Sequence, residues 1–267
     1  MSKHTFLDQA RRHFLRGISV PEASEFVIDD FQREAIQYVT EGHDTLVVAP
    51  TGAGKTFIAL SAIEANLKLG RRAVYTTPLK ALSNSKFTEL KLKFEPKYKV
   101  GLLTGDRKIE GDADVVVATT EIFRNELYRV SERSALVVLD EVHFIADPQR
   151  GPVWEESIIL SPRSSTFLML SASISNAQEI ADWIMEVRDK PCKVVIKKER
   201  PVELRYGFLH PKLGVLPLSD QKGQVFGEVR EFYSSLNLDS TGRRLRIRRG
   251  FRGGERNGRR PPRGKRR

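Results

Sequence analysis

The chain has 267 residues, of which 40% are hydrophobic and 30% are charged, and its formal net charge is +11 at pH 7. A chain of this length and apolar content can bury a substantial core, which excludes disorder along its whole length. Its single cysteine, Cys192, excludes an internal disulfide. Residues 1–25 contain no apolar run long enough for a signal sequence or a membrane span, so we expect a soluble, cytoplasmic protein without membrane contact.

The positive charge is concentrated at the C-terminus. Residues 242–267 hold 13 Lys and Arg residues and one acid, Glu255, which leaves 32 basic and 33 acidic residues in the remainder of the chain. This segment is rich in Arg, Gly and Pro and has few large apolar side chains, so burial cannot offset the entropy of ordering it. We therefore predict a disordered tail that binds nucleic-acid phosphates, with a solubilising end as the weaker alternative.

In chain order, the sequence predicts an N-terminal amphipathic helix, then alternating strands and helices, then a hairpin or loop and a helix end. The first helix is indicated by Phe6, Leu7, Ala10, Phe14 and Leu15, whose spacing forms one face that can pack on the main domain. The predicted strands lie at residues 45–49, 73–76, 100–104, 115–119, 136–140, 167–170 and 193–196, and the main helices at 54–69, 79–93, 120–130 and 176–187. This alternation predicts a three-layer α/β domain with a mostly parallel sheet.

A phosphate-binding loop is predicted at residues 49–56, APTGAGKT, between a strand and a helix. Its glycines let successive backbone N–H groups face a phosphate, and the following helix adds the positive end of its dipole. Lys55 can reach the β- and γ-phosphates, and the Thr56 hydroxyl can bind Mg²⁺. The candidate ATP-binding residues of this loop are Thr51, Gly52, Ala53, Gly54, Lys55 and Thr56.

Two carboxylates at the end of a buried strand complete this prediction. In the run ALVVLDE, Asp140 can ligate Mg²⁺ and Glu141 can orient the water that attacks the γ-phosphorus. Upstream, the Gln32 amide offers a donor and an acceptor that suit an adenine edge, and Phe31 can stack beside the base. Without the loop, Phe31 and Gln32 would indicate only an ordinary helix start.

These motifs resemble a known family. The runs QREAI, APTGAGKT, TPLKALSNSK, LLTGD, TTEIFRN, DEVH, RGPVWEE and LSASIS have the order and spacing of the first RecA-like lobe of superfamily-two DExH-box helicases. The resemblance covers about residues 26–208, and ALSNSK and RGPVWEE are most similar to superkiller-like RNA helicases. It implies a RecA-like fold, ATP and Mg²⁺ as cofactors, and ATP hydrolysis coupled to the binding of single-stranded RNA and to unwinding, with RNA favoured over DNA.

The resemblance also implies residue roles. Lys55, Asp140, Glu141 and His143 are implied in catalysis, with His143 linking the γ-phosphate to the nucleic-acid side. Ser171, Ala172 and Ser173 are implied in coupling ATP to strand binding. The residues implied in a groove for a nucleic-acid backbone are Thr77, Pro78, Lys80, Ser83, Asn84, Thr104, Gly105, Asp106, Thr119, Thr120 and Glu121. For Thr104, Gly105 and Thr119, capping or turn formation is an alternative of nearly equal weight.

The sequence departs from the family pattern in three ways. Ser85 replaces the usual Gln, Ser173 replaces the usual Thr, and after residue 208 we find no second α/β block with its arginine fingers. A missing arginine finger costs about 10³ to 10⁵ in rate. We therefore expect a monomeric single lobe with slow turnover, which a second lobe acting in trans could complement.

Two alternatives remain open: a non-catalytic RNA-binding module, and a lobe of a DNA translocase or helicase. The predicted organisation is an N-terminal helical extension at residues 1–25, a RecA-like domain at 26–208, a loop or hairpin and helix at 209–241, and the disordered tail at 242–267.

Overall fold

The computed structural model describes residues 3–16, 27–129, 134–201, 204–220 and 223–235. The chain divides into two compact units, residues 23–203 and residues 1–22 together with 204–267. The predicted domain bounds stay a prediction. Residues Gly207–His210 and Gly214–Pro217 pair in a separate two-stranded sheet. The predicted basic tail, residues 242–267, lies outside the described residues.

The larger unit contains an eight-stranded sheet with the strand order β4-β3-β5-β2-β6-β7-β1-β8. All neighbouring strands are parallel except β4, which runs antiparallel to β3 at one edge. The strands are β1 (Asp44–Val48), β2 (Ala73–Thr77), β3 (Val100–Thr104), β4 (Arg107–Ile109), β5 (Val115–Thr119), β6 (Leu136–Leu139), β7 (Thr166–Ser171) and β8 (Cys192–Ile196).

Helices cover both faces of this sheet. The helices of the unit are α2 (Asp30–Thr40), α3 (Lys55–Lys68), α4 (Lys80–Phe94), α5 (Thr120–Leu127), α6 (Gly151–Leu160) and α7 (Ala177–Arg188), with a 3₁₀ helix at Val142–Ala146. Side chains of α2, α3 and α4 form one buried cluster with the sheet. Side chains of α5, α6 and α7 form a second cluster on the other face. The predicted three-layer α/β fold is confirmed.

Several elements of this unit were absent from the predicted strands and helices, among them α6 and β4. Helix α6, GPVWEESIIL, has apolar residues around most of its circumference, so it lacks the one-sided pattern that predicts an amphipathic helix. Strand β4 has only three residues, two of them exposed and basic, and it forms because its backbone pairs with β3. Helix α5 ends at Leu127, before the predicted residue 130.

The smaller unit contains the predicted N-terminal helix, α1 (Lys3–Leu15), a hairpin of β9 (Gly207–His210) and β10 (Gly214–Pro217), and α8 (Gly227–Ser235). Its core consists of Leu216, Phe226 and Val229, and Ala10 of α1 packs against them. The Arg205 guanidinium also donates to the Phe14 carbonyl at 3.1 Å. These contacts of α1 lie within the smaller unit, and its packing on the main domain stays a prediction.

Across the described ranges, no helix combines the length and the apolar character that crossing a bilayer requires.

Candidate nucleotide and nucleic-acid site

The predicted site residues gather at one edge of the sheet. In parallel α/β sheets, ligands bind at the carboxyl ends of the strands. Apart from Phe31 and Gln32 on α2, the residues predicted to bind nucleotide or to couple its binding lie at or after the ends of β1, β6 and β7. The residues predicted to bind nucleic acid lie at or after the ends of β2, β3 and β5. Because the strand order is β3-β5-β2-β6-β7-β1, the edge divides into a nucleic-acid half and a nucleotide half that meet between β2 and β6.

The loop between β1 and α3 has the backbone of a phosphate cradle. Gly52 and Gly54 have φ of 88° and 86°, in the left-handed region that favours glycine. At Gly54 two features disfavour a side chain: the left-handed φ, and the overlap that a Cβ would make with the Gln32 amide nitrogen. Gly54 is the N-cap of α3 and makes no side-chain cap, so the first N–H groups of the helix are left for an anion.

In this structure Lys55 contacts its own loop. Its ammonium donates to the carbonyls of Ala49 at 2.6 Å and Pro50 at 3.2 Å. Burial lowers the pKa of Lys55, and the negative charges of Glu141 and Asp140 oppose that shift. Among the described residues its hydrogen bonds go to neutral carbonyls, so this partly desolvated ammonium gains a stronger partner when a phosphate enters the loop.

Both oxygens of Asp140 have a fixed donor. Its Oδ2 accepts from the Tyr75 hydroxyl at 2.8 Å, and its Oδ1 accepts from the Glu141 N–H at 3.0 Å. Burial, followed by the nearby Asp140 carboxylate, raises the pKa of Tyr75 well above its usual value, so the phenol keeps its proton and acts as the donor. The Asp140 carboxylate is therefore held in one orientation by two donors.

Glu141 has an unfavourable backbone conformation, and one of its carboxylate oxygens lacks a hydrogen bond among the described residues. It has φ 53° and ψ 45°, a left-handed conformation that costs free energy in a residue with a side chain. Its Oε2 lies 3.3 Å from His143 Nδ1. Neither atom forms a hydrogen bond of good geometry within the described part of the chain, although both are buried.

Unpartnered buried polar atoms are rare and costly, and here they coincide with the predicted site. Within the described residues, the side-chain atoms of this kind are Glu141 Oε2, His143 Nδ1, Ser171 Oγ and Trp154 Nε1. Three of these four residues were predicted from the sequence. Trp154 belongs to the same neighbourhood, since its ring stacks on Phe144, which in turn stacks on His143.

The donor set fits Mg²⁺ bound together with a nucleotide. Among the described residues, no cluster of three or more His, Cys, Asp or Glu side chains could hold a metal alone. Mg²⁺ usually takes one or two protein oxygens and completes its shell with phosphates and water. A hydroxyl from Thr56 and a carboxylate from Asp140 are such oxygens, beside the loop shaped for phosphates.

The side chains of Phe31 and Gln32 are buried, so neither is free to contact a base in this structure. The Gln32 side-chain amide donates to the Ala53 carbonyl at 2.9 Å and accepts from the Asp29 N–H at 3.1 Å, and only 4% of the residue is exposed. Phe31, on α2, is buried in the core cluster that also contains side chains of α3 and α4. Here Gln32 caps α2 and holds the phosphate loop through Ala53. To contact adenine as predicted, the Gln32 amide would have to break these hydrogen bonds.

Six of the predicted groove residues are buried: Thr77, Pro78, Ser83, Thr104, Thr119 and Thr120. Hydroxyls in this set bond to one another and to backbone. The Thr77 and Ser83 hydroxyls are 2.7 Å apart, and the Thr120 hydroxyl donates to the Thr77 carbonyl at 3.2 Å. These hydroxyls therefore stabilise the local backbone at this edge of the sheet. Such a structural role was the alternative predicted for Thr104, Gly105 and Thr119, and the bonds of Thr77, Ser83 and Thr120 are of the same kind.

The other predicted groove residues, Lys80, Asn84, Gly105, Asp106 and Glu121, are exposed or half-buried. Lys80 and Asp106 form an ion pair at 2.5 Å, and the Arg107 guanidinium donates to the Asn84 side chain at 3.1 Å. These contacts join the start of α4 to the turn after β3. The surface they form can offer amide and ammonium donors to a sugar-phosphate backbone.

Sequence reasoning missed the residues that surround Thr56 and Asp140, the predicted metal ligands. Tyr75 bonds to Asp140. The Lys86 ammonium contacts Glu89 at 2.7 Å, lies 3.4 Å from the Thr56 hydroxyl, and lies 5.4 Å from the centre of the Tyr75 ring. Arg107, beside Asn84, was also missed. Lys86 ends the motif TPLKALSNSK, and Tyr75 lies two residues before that motif. Only the folded chain brings both side chains to the nucleotide half.

Comparison with known proteins agrees with this geometry. Residues 29–180, more than half of the chain, match the DEAD/DEAH box helicase family, and the chain belongs to that family. The RNA helicase DExH9 of Arabidopsis thaliana is 42% identical over 216 residues, which cover 79% of this chain and 21% of that protein. The exosome RNA helicase MTR4 of Homo sapiens is 44% identical over 71% of this chain and 18% of its own length.

A probable helicase of Mycobacterium tuberculosis, HelY, is 48% identical over 67% of this chain and 20% of its own length. The chain thus spans about a fifth of the length of these curated relatives. The crystal structure of the helicase MrfA bound to DNA superposes with a TM-score of 0.54 at 21% identity, covering 74% of this chain and 30% of that one. At this identity the likeness concerns the fold, and it agrees with the predicted RecA-like architecture.

Proposed function

We propose that this chain is the ATP-binding lobe of an ATP-dependent DExH-box RNA helicase. The main support is the group of buried, unpartnered polar atoms on Glu141, His143 and Ser171 beside a glycine-shaped phosphate loop. A fold tolerates such atoms where a ligand satisfies them. The names of the relatives DExH9 and MTR4, both RNA helicases, favour RNA as the nucleic acid.

In the proposed reaction the residues of the nucleotide half act in sequence. Lys55 exchanges its loop carbonyls for β- and γ-phosphate oxygens, and Thr56 and Asp140 hold Mg²⁺, which when bound offsets phosphate charge. Glu141 Oε2 accepts a hydrogen bond from a water and orients it towards the γ-phosphorus. His143 and Ser171, with Ser173 nearby, connect this half to the nucleic-acid half.

The nucleic-acid half contacts the backbone of a single strand through its exposed residues. Lys80 and Asn84 lie in the first turns of α4, where donors and the helix N-terminus suit phosphate contacts. Glu121, near the start of α5, can only accept hydrogen bonds and suits a sugar hydroxyl. We further propose that a second lobe, in the same polypeptide or a partner, supplies the arginine charge that rapid phosphoryl transfer requires. A cytoplasmic location and a monomeric state remain predictions.

Replacing Lys55 tests the nucleotide assignment. We expect Lys55→Ala to weaken binding of Mg·ATP about 10- to 100-fold, because it removes a charge-assisted hydrogen bond to phosphate. Binding of a fluorescent ATP analogue to the purified chain measures this. Lys68→Ala is the matched control, since Lys68 is exposed at the other end of the same helix and pairs with Glu64 at 2.8 Å. Equal binding by the Lys55 variant and the wild type, or no saturable binding by the wild type, would contradict the proposal.

Replacing Lys80 tests the nucleic-acid half. We expect Lys80→Ala to weaken binding of single-stranded RNA and to reduce the dependence of log K on log salt by about 0.7, because one phosphate contact is lost. Titrations of labelled RNA at several salt concentrations measure both effects. The control is Lys99→Ala, an exposed lysine just before β3, at the amino end of the strands.

The same titrations distinguish RNA from DNA. Unlabelled RNA is expected to displace the probe at lower concentration than DNA of the same sequence. Preferential displacement by DNA would overturn the RNA assignment and favour a DNA translocase lobe.

A further inference from the structure

One hydrogen bond crosses the boundary between the two halves of the site. Strands β2 and β6 are neighbours with Tyr75 paired to Val138, and Asp140 follows the end of β6. The Tyr75 hydroxyl spans this boundary to donate to Asp140 Oδ2 at 2.8 Å. Tyr75 thus belongs to the strand that ends in the nucleic-acid half, and its hydrogen-bond acceptor belongs to the nucleotide half.

The surroundings of Tyr75 fix the direction of its hydroxyl. The residue is 0% exposed, and its ring belongs to the core cluster formed with α2, α3 and α4. Its backbone is paired on both sides, with β5 and with β6. A ring packed in this way has little rotational freedom, because interiors are close-packed. The phenol oxygen therefore stays near one point at the edge of the site.

This arrangement restricts the Asp140 carboxylate. Its two oxygens accept from different donors, the Tyr75 hydroxyl and the Glu141 N–H. With both oxygens bonded, rotation of the carboxylate would break at least one hydrogen bond. Each oxygen still has a further lone pair that can accept a metal ion.

We propose that Tyr75 is a positioning residue for the Mg²⁺ site: its hydroxyl orients the Asp140 carboxylate for the metal. This inference rests on the proposed function, because it assumes that Asp140 binds Mg²⁺ when nucleotide enters. Groups that hydrogen-bond to metal ligands commonly change metal affinity or activity 10- to 100-fold when they are removed. In this role Tyr75 acts through its hydrogen bond to Asp140.

Tyr75→Phe removes the hydroxyl and keeps the ring. We expect the free Mg²⁺ concentration that gives half of the Mg²⁺-dependent gain in binding of a fluorescent ATP analogue to rise about 10-fold. Binding of the analogue in EDTA should equal that of the wild type, because the phosphate loop is unchanged. Thermal unfolding measured in EDTA establishes that the variant is folded.

Two further variants separate positioning from a general loss of packing. Tyr38→Phe is the matched control, since it removes another tyrosine-carboxylate hydrogen bond, 3.0 Å long, to Glu34 on the surface of α2. It should leave the Mg²⁺ midpoint unchanged. In an Asp140→Ala background, Tyr75→Phe should cause no further change, because the effect acts through Asp140.

The outcomes distinguish this inference from the proposed function. If the wild type gains no affinity for nucleotide from Mg²⁺, the proposed nucleotide site fails, and this inference fails with it. If the wild type gains affinity and Tyr75→Phe has the same Mg²⁺ midpoint, the positioning role is refuted and the nucleotide site stands. An equal additional loss in the Asp140→Ala background would also refute it.

Discussion

Glu141→Gln is expected to lower ATP hydrolysis about 10²- to 10⁴-fold while ATP binding is retained. The loss follows because an amide orients and polarises water far less well than a carboxylate. Retention of binding follows because Lys55 and the phosphate loop are untouched. The structure supports this role, since Glu141 Oε2 is buried without a good hydrogen bond and its backbone is left-handed. Single-turnover hydrolysis of radiolabelled ATP, with the chain in excess, measures the rate.

Glu110→Gln is the matched control for this experiment. Glu110 is another glutamate with a left-handed backbone, at φ 44°, but it is exposed and follows the edge strand β4. Its replacement should leave hydrolysis unchanged, because it lies away from the nucleotide half. Equal rates for Glu141→Gln and Glu110→Gln would contradict the assignment of Glu141, as would complete loss of ATP binding by Glu141→Gln.

Asp44→Asn is expected to destabilise the larger unit by about 3–5 kcal/mol, because it leaves a buried guanidinium without its counter-charge. Asp44 is 0% exposed, and its Oδ2 accepts from Arg188 Nε at 2.6 Å. Its Oδ1 accepts from the Phe167 N–H at 2.8 Å, which ties the start of β1 to β7. Arg188 is 2% exposed and also donates to the Ser165 carbonyl at 2.8 Å. Urea unfolding at neutral pH measures the change.

Asp189→Asn is the control for the buried pair. Asp189 pairs with Arg163 at 3.2 Å, and both side chains are largely exposed. Exposed ion pairs contribute little to stability, so this variant should unfold at nearly the urea concentration of the wild type. If Asp44→Asn and Asp189→Asn had the same midpoint, the Asp44–Arg188 pair would not stabilise the fold as argued.

The fold was largely predictable because most of its signals are local. The apolar runs around Val47 and Val138 are continuous, as strands covered on both faces require, and the structure buries both residues completely. Helix α6 was missed because it is apolar on several sides, and β4 because three residues carry too little pattern. Both elements depend on neighbours that are distant in sequence.

The candidate site was predictable where a residue's chemistry depends on its neighbours in the chain. Gly52 and Gly54 have the left-handed backbone that the motif suggested, and Lys55 begins the following helix. By contrast, the side chains of Ser83 and Thr120 are buried, although the motifs placed them in an open groove. A motif gives the position of a residue along a strand or helix, but neighbouring elements decide whether its side chain reaches solvent.

The sequence by itself determined the alternating α/β pattern, the phosphate loop and the acid pair, because each depends on residues adjacent in the chain. Only the tertiary structure decided which side chains contact Thr56 and Asp140, the predicted metal ligands. Tyr75 and Asp140 are 65 positions apart in sequence, and their hydrogen bond exists because the strand order makes β2 and β6 neighbours. Strand order depends on the packing of the whole sheet, so no local pattern around Tyr75 could reveal its partner.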